Sequence, residues 1–294
     1  MNGPIHPEPA LNEPMRSVCK AALFGASKRL GLMRLFEWLR GKFVEPHMTV
    51  FLFHRVTDAI APDGLTVSTA WFRNFCRLMK ASYHVTTLAD VVGTLNAGAA
   101  PRRRTVAITF DDSYADNFEA ARILHEFGLT ATFFIPTQYI DTNLRYPWDA
   151  HLPALANLTW SQVRQMAAWG HDIGSHSVSH PDFGKLDDAA ALNELTASRI
   201  ELEERLKRPV KWFAFPFGGE PNFRPEQTRL VAQAGYDGSF SALRGFIQKG
   251  MAGTVLPREA VPYFRNLTHL EMHINRCLDW LYRLKRANGV RSAR

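Results

Sequence analysis

Two six-residue runs, Met48–Phe53 (MTVFLF) and Thr105–Phe110 (TVAITF), carry no charge and are apolar apart from β-branched threonine. A strand with one wet face alternates apolar and polar residues, so an unbroken run implies burial on both faces. That is the pattern of a parallel sheet covered by helices. The stretch after Thr105–Phe110 supports this. Asp116–Phe127 reads as a helix stopped by Gly128, and residues 130–135 read as the next strand, ended by Pro136. Strand, helix and strand within so few residues form a βαβ unit.

The alternation continues along the chain. Helices are expected at 71–81, 88–95, 160–169, 189–206 and 227–234, with a C-terminal helix at 267–287. Strands are expected at 83–87, 172–175, 210–215 and 236–241, with a last short one beginning at Val255. The fold class is therefore α/β, a distorted (β/α) barrel of about seven strands, with an open doubly wound sheet as the alternative. Either architecture gathers ligand chemistry at the carboxyl ends of the strands. Three regions are expected: a basic, partly amphipathic extension at 1–46, the main domain at 47–265, and a basic C-terminal helix at 266–294.

The chain has 294 residues, 46% hydrophobic and 21% charged, which suits a globular domain with a real core. Its net charge of +7 is concentrated at the two ends, with Arg16, Lys20, Lys28, Arg29, Arg34, Arg40 and Lys42 at one and Arg276, Arg283, Lys285, Arg286, Arg291 and Arg294 at the other. Such ends suit an anionic surface, so a peripheral membrane contact through the N-terminal segment is one expectation and a solvated or packed helix the other. Nucleic acid is not expected as a partner, because the basic residues do not interleave with the aromatic ones. Cys19, Cys76 and Cys277 form no CxxC pair, which excludes a thiolate zinc site and fits a reducing compartment. The polar, Pro-rich start does not read as a secretory signal, and the expected location is cytoplasmic, at most peripheral to the inner membrane.

Chemistry-bearing residues follow the apolar strands repeatedly. His54 follows Phe53, Asp111 and Asp112 follow Phe110, His176 and His180 follow 172–175, and Pro216-Phe217-Gly218-Gly219 follows 210–215. Two imidazoles four residues apart with one carboxylate make a three-ligand set with open positions, as hydrolytic metal sites need. The adjacent aspartates must diverge, so that one can bind a metal while the other faces water. The same donor set also suits a non-haem iron oxygenase, against which the βα order and the aspartate pair argue. A second HxxxH pair, His269 and His273, lacks an accompanying strand-end carboxylate and reads as structural.

Thr109-Phe110-Asp111-Asp112 resembles the TFDD motif of the polysaccharide deacetylases, the NodB-homology group of carbohydrate esterase family four, and His176 to His180 resembles their H-S/T-x-x-H motif. The resemblance covers roughly residues 49–261. It implies a hydrolase that removes acetyl groups from N-acetylhexosamine units of a glycan or polysaccharide. Asp111 would be the general base. Asp112, His176 and His180 would hold a divalent metal, zinc or a similar ion. A backbone N–H near Tyr114 would help hold the oxyanion. Two departures matter. The family's R-x-P-F/Y motif reads Ala214-Phe215-Pro216-Phe217 here, so Arg258 is expected to replace the missing arginine beside Asp111. Leu267-Thr268-His269 matches the family's L-x-H motif in letters only. Phe53-His54-Arg55-Val56 resembles the Y-H-x-V-like motif of relatives whose acid lies N-terminally, which makes His54 the expected general acid. Tyr146, Trp148 and Asp149 lie in a long loop, where the aromatics could stack on sugar or pin the loop. Trp212 and Phe217 could likewise stack on sugar or pack in the core, and core packing is the expectation. A degenerate, glycan-binding deacetylase fold and an O-acetyl esterase are the alternatives.

Overall fold

The computed structural model describes residues 45–264 and 266–276. The basic N-terminal segment, its amphipathic stretch, Cys19, Cys277 and the basic residues from Arg283 onward lie outside the described residues. The chain divides into two compact units, Pro46–Tyr263 and a second formed by its two ends.

Within Pro46–Tyr263 the strands are β1 (Met48–Phe53), β2 (Arg55–Val56), β3 (Thr66–Val67), β4 (His84–Val85), β5 (Thr105–Phe110), β6 (Thr132–Ile135), β7 (Asp172–Ser175), β8 (Trp212–Ala214), β9 (Gly238–Phe240), β10 (Val255–Leu256) and β11 (Glu259–Ala260). The helices are α1 (Thr69–Ser82), α2 (Leu88–Asn96), α3 (Asp116–Phe127), α4 (Trp160–Ala168), α5 (Asp188–Leu206) and α6 (Thr228–Gln233). Among the described residues one sheet runs β10-β9-β8-β7-β6-β5-β1-β11, with β4 also pairing β5, and every pairing is parallel. The two end strands are separated by only Pro257 and Arg258 in the chain. The sheet must therefore curl until its edges meet there, which gives the expected barrel with eight strands along its path rather than about seven.

Register explains the unbroken apolar runs. Phe53 pairs with Phe110, and Phe110 with Phe133, so three rings stack across neighbouring strands at 5.1 and 4.7 Å between centroids. Phe72 of α1 meets this ladder edge-on. The alternate residues, among them Val50, Ala107, Phe134, Ala214 and Phe240, form a second core with Leu88, Val91 and Leu95 of α2. Both sheet faces are thus dry. Local signals fix the helix ends. Thr87 with Asp90 and Thr159 with Gln162 form capping boxes at α2 and α4, and Gly128 stops α3 at φ 67°.

Several sequence-based bounds were too long. The strand expected at 210–215 is β8 alone, and 236–241 shrinks to β9. The short pair β2 and β3 was not anticipated. In the second unit, helix α7 spans Leu267–Ile274, and the expected continuation from 277 to Ala287 lies outside the described residues. His269 and His273 lie on it beside Phe264, with ring centroids 5.4 and 5.1 Å away. Among the described residues no helix is long and apolar enough to cross a membrane.

Candidate active site

The parallel register delivers the strand ends to one place. Asp111 N–H donates to the Phe53 carbonyl at 3.0 Å, which sets the residue after β5 beside His54, the residue after β1. His176 N–H donates in the same way to Ile135 at 2.9 Å. The backbone then turns sharply. Asp112, Ser113, Ser177, His180 and Phe217 all have positive φ, between 51° and 70°. Non-glycine residues adopt this conformation at a cost, and its clustering at one barrel mouth marks a functional constraint.

Asp112, His176 and His180 present ligand atoms that all lie within 4.8 Å of one another. Asp112 Oδ1 is 3.4 Å from His176 Nε2 and 3.3 Å from His180 Nε2, and it is buried with no hydrogen-bond partner. His176 Nδ1 is 2.8 Å from the Ala214 carbonyl. A carbonyl only accepts, so Nδ1 carries the hydrogen and the Nε2 lone pair faces the Asp112 oxygen. Two acceptors pointed at each other require a cation between them or a proton on one. Burial pushes the Asp112 carboxyl up, but His176 and His180 outweigh it and hold it well below the ordinary carboxylate range. The three residues fit a divalent cation in chemistry and arrangement, with the Ala214 carbonyl orienting one imidazole as outer-shell partners do.

The loop from His176 to His180 is held from α5. Glu194 accepts from Val178 N–H at 2.8 Å, Ser179 N–H at 3.0 Å and the Ser179 hydroxyl at 2.7 Å. Ser177 Oγ accepts from His180 N–H at 3.1 Å.

Asp111 is gripped from the opposite side. Arg258, fully buried at the seam between β10 and β11, donates Nη1–H to Asp111 Oδ1 and Nη2–H to Oδ2, each at 2.7 Å. Its Nε–H donates to the Ser241 carbonyl at 2.8 Å, and Nη1 also lies 3.2 Å from Thr109 Oγ1. This fork-to-fork geometry fixes the carboxylate plane. Burial works to raise the Asp111 carboxyl, but the Arg258 charge, followed by His176, outweighs it, and the net direction is down. Asp111 is therefore an ionised carboxylate at neutral pH. Its Oδ2 is 3.8 Å from His176 Nε2. His54 Nε2 stands 4.0 Å from Asp112 Oδ2, with its side chain 16% exposed. Burial holds the His54 imidazole below its usual pKa despite the attraction of Asp112 and Asp111.

All six residues singled out in the sequence, His54, Asp111, Asp112, His176, His180 and Arg258, thus converge on one point. An aromatic wall stands over it. Tyr139, Tyr146 and Trp148 stack in series at 4.1 and 4.5 Å, and Trp148 lies 5.1 Å from His180. The Tyr146 hydroxyl donates to the Asp112 carbonyl at 2.8 Å. Trp212 is in the core as expected, with its indole N–H on Asp172 at 2.7 Å. Phe217 is not. It is 48% exposed, packed edge-on to His180 at 4.8 Å, because its left-handed backbone turns the side chain out of the barrel. Sequence reasoning also missed Glu194 and Arg55. Glu194 leaves no local signal, whereas Arg55 is a charge set at the end of an apolar strand.

Residues 98–238 match the family model described as polysaccharide deacetylase. The chain is 24% identical over 191 residues to the Bacillus subtilis (strain 168) protein YxkH, covering 64% of this chain and 62% of YxkH. It is 32% identical over 108 residues to a chitooligosaccharide deacetylase of Bradyrhizobium sp. (strain ANU 289), covering 35% of this chain and 42% of that protein. The chain therefore spans less than two thirds of either curated relative. Its fold is similar to that of the Streptococcus pyogenes deacetylase PplD, solved in complex with acetate, with a TM-score of 0.64 at 21% identity, covering 78% of this chain and 98% of that one. Through residues 98–238 this chain is thus similar to the polysaccharide deacetylase family, and its barrel shares the fold of a solved deacetylase.

Proposed function

We propose that this chain is a metal-dependent carbohydrate N-deacetylase, acting on N-acetylhexosamine units of a glycan or polysaccharide. One observation carries the reading: a carboxylate clamped by a buried arginine, Asp111 on Arg258, stands beside the three-donor cluster Asp112, His176 and His180. That cluster would hold zinc or a similar divalent cation. Such an ion lowers the pKa of water and polarises a carbonyl.

The chain's own residues supply the rest. Asp111, ionised and aimed by Arg258, takes a proton from the water as it attacks the acetyl carbonyl carbon. The new bond is oxygen to carbon, and the bond that breaks is carbon to nitrogen. His54, beside Asp112, in its protonated form delivers a proton to the departing nitrogen and is recharged with the proton that Asp111 took from water, so both return to their starting forms and the products are acetate and a free amine. Trp148 and Phe217 offer apolar faces to the sugar ring and exclude water from the reacting atoms. The Arg258 clamp on Asp111 stands where the family's motif arginine is missing and supports the catalytic reading over a degenerate, purely glycan-binding fold.

Bound zinc in the purified wild type beside His176→Ala/His180→Ala, combined with acetate release from N-acetylated chitooligosaccharides by wild type and Asp111→Asn, tests this. The expected outcome is near-stoichiometric zinc lost only in the double variant, with Asp111→Asn keeping zinc but losing turnover. Folded wild type without zinc, or Asp111→Asn with full activity, would overturn it.

A further inference from the structure

Arg55 is as dry as any core residue, 1% exposed, yet it carries a full charge. It follows His54 in the chain and splits its donors among three partners. Nε–H reaches Thr66 Oγ1 at 2.8 Å, Nη1–H reaches Asp149 Oδ1 at 2.5 Å, and Nη2–H reaches Asp63 Oδ2 at 2.8 Å. The second oxygen of Asp149 accepts from the Tyr114 hydroxyl at 2.6 Å, and the oxygen of that hydroxyl accepts from the Trp148 indole N–H at 3.1 Å. Trp148 in turn packs on His180. One unbroken chain of bonds thus links the turn after β1, the turn after β5 and the long aromatic loop.

Burying a guanidinium is expensive, and for stability alone an apolar side chain would serve as well or better. What the charge supplies is direction. A fork that must satisfy Asp149 and Asp63 together permits one placement of the loop residues 148 and 149. We propose that Arg55 is a positioning residue that locks Asp149 and Tyr114 and through them aims the Trp148 indole at His180. A ligand approaching the Asp112, His176 and His180 cluster then meets a preset aromatic face instead of a mobile loop. The inference rests on that cluster being a metal centre.

The indole N–H signals of the ¹⁵N-labelled full chain read this directly. The Trp148 signal is the one lost in Trp148→Phe. In the wild type it is expected to exchange slowly with solvent and to shift on addition of zinc. In Arg55→Gln its exchange is expected to be at least ten-fold faster and its zinc-induced shift at least halved, while the other indole signals hold their positions. Tyr114→Phe removes only the hydroxyl and should give the same acceleration, which keeps the test open if Arg55→Gln does not fold. Either variant, folded and with wild-type exchange and shift at Trp148, overturns the proposal. A wild type that takes no zinc sinks the metal reading, and the exchange rates of the two variants still decide the positioning role.

Discussion

At the scale of the residue, the pairing of Arg258 with Asp111 is a trade between stability and chemistry. Neither group has appreciable contact with solvent, and each is the other's main counter-charge. Removing one partner strands the other, so Arg258→Ala should cost about 3–5 kcal/mol of folding stability, read from urea unfolding. Arg258→Lys separates the two roles. The ammonium keeps the charge and most of the stability but cannot make both short bonds to the Asp111 oxygens. Turnover should therefore fall by ~10²-fold with KM little changed, the signature of a base that is present but misaimed. An Arg258→Lys enzyme with wild-type kcat would show that the fork geometry is irrelevant to the reaction.

At the scale of the element, the loop from His176 to His180 depends on a helix that supplies none of the proposed ligands. Glu194 of α5 ties down two backbone N–H groups and one hydroxyl between His176 and His180, and so fixes the left-handed turn that brings the second imidazole back toward the first. Glu194→Ala should leave the protein folded but weaken zinc binding about 10–100-fold, measured by competition with a chelator. Unchanged affinity would mean that the loop holds its shape unaided. The main elements were legible because each had its own local signal. Unbroken apolar runs gave β1 and β5, Gly128 gave the stop of α3, and Thr159 with Gln162 gave the start of α4. The site residues were legible because Asp111 with Asp112 and His176 with His180 come just after strands, in motifs of fixed spacing, and Arg258 because it comes where a late strand ends. What stayed hidden depends on long-range partners. Glu194 reads as one more acid on a helix face, β2 and β3 are too short to show a period, and the outward turn of Phe217 follows from a backbone conformation that no residue type announces.

At the scale of the whole molecule, His171 and Asp116 pull stability in opposite directions over one pH window. His171 is a core imidazole. Its Nδ1 accepts from Ala131 N–H at 3.3 Å and its Nε2–H donates to the Ala121 carbonyl at 2.9 Å, so it joins α3 to the start of β6 in the neutral form. Burial lowers its pKa to about 4. The unfolded chain takes up a proton below pH ~6.5 and the folded one does not until about pH 4, so stability present above pH ~6.5 is lost as pH falls. By pH 5 the loss amounts to about 2 kcal/mol. Asp116, at the start of α3, is raised to about 6 by burial, although Val56 N–H donates to it at 3.0 Å. Here the folded chain binds the proton first, so stability rises as pH falls from about 6 toward 4, by on the order of 1 kcal/mol at pH 5. The two slopes partly cancel, so the wild-type curve shows only their difference and the variants separate them. His171→Gln should lose less stability than the wild type between pH 7.5 and pH 5, and Asp116→Asn should lose more, each compared by urea unfolding at the two pH values. If both variants run parallel to the wild type, these two groups do not set the acid tolerance of the fold. If they tilt apart as expected, the neutral contact between α3 and the sheet is where acid first acts on the barrel.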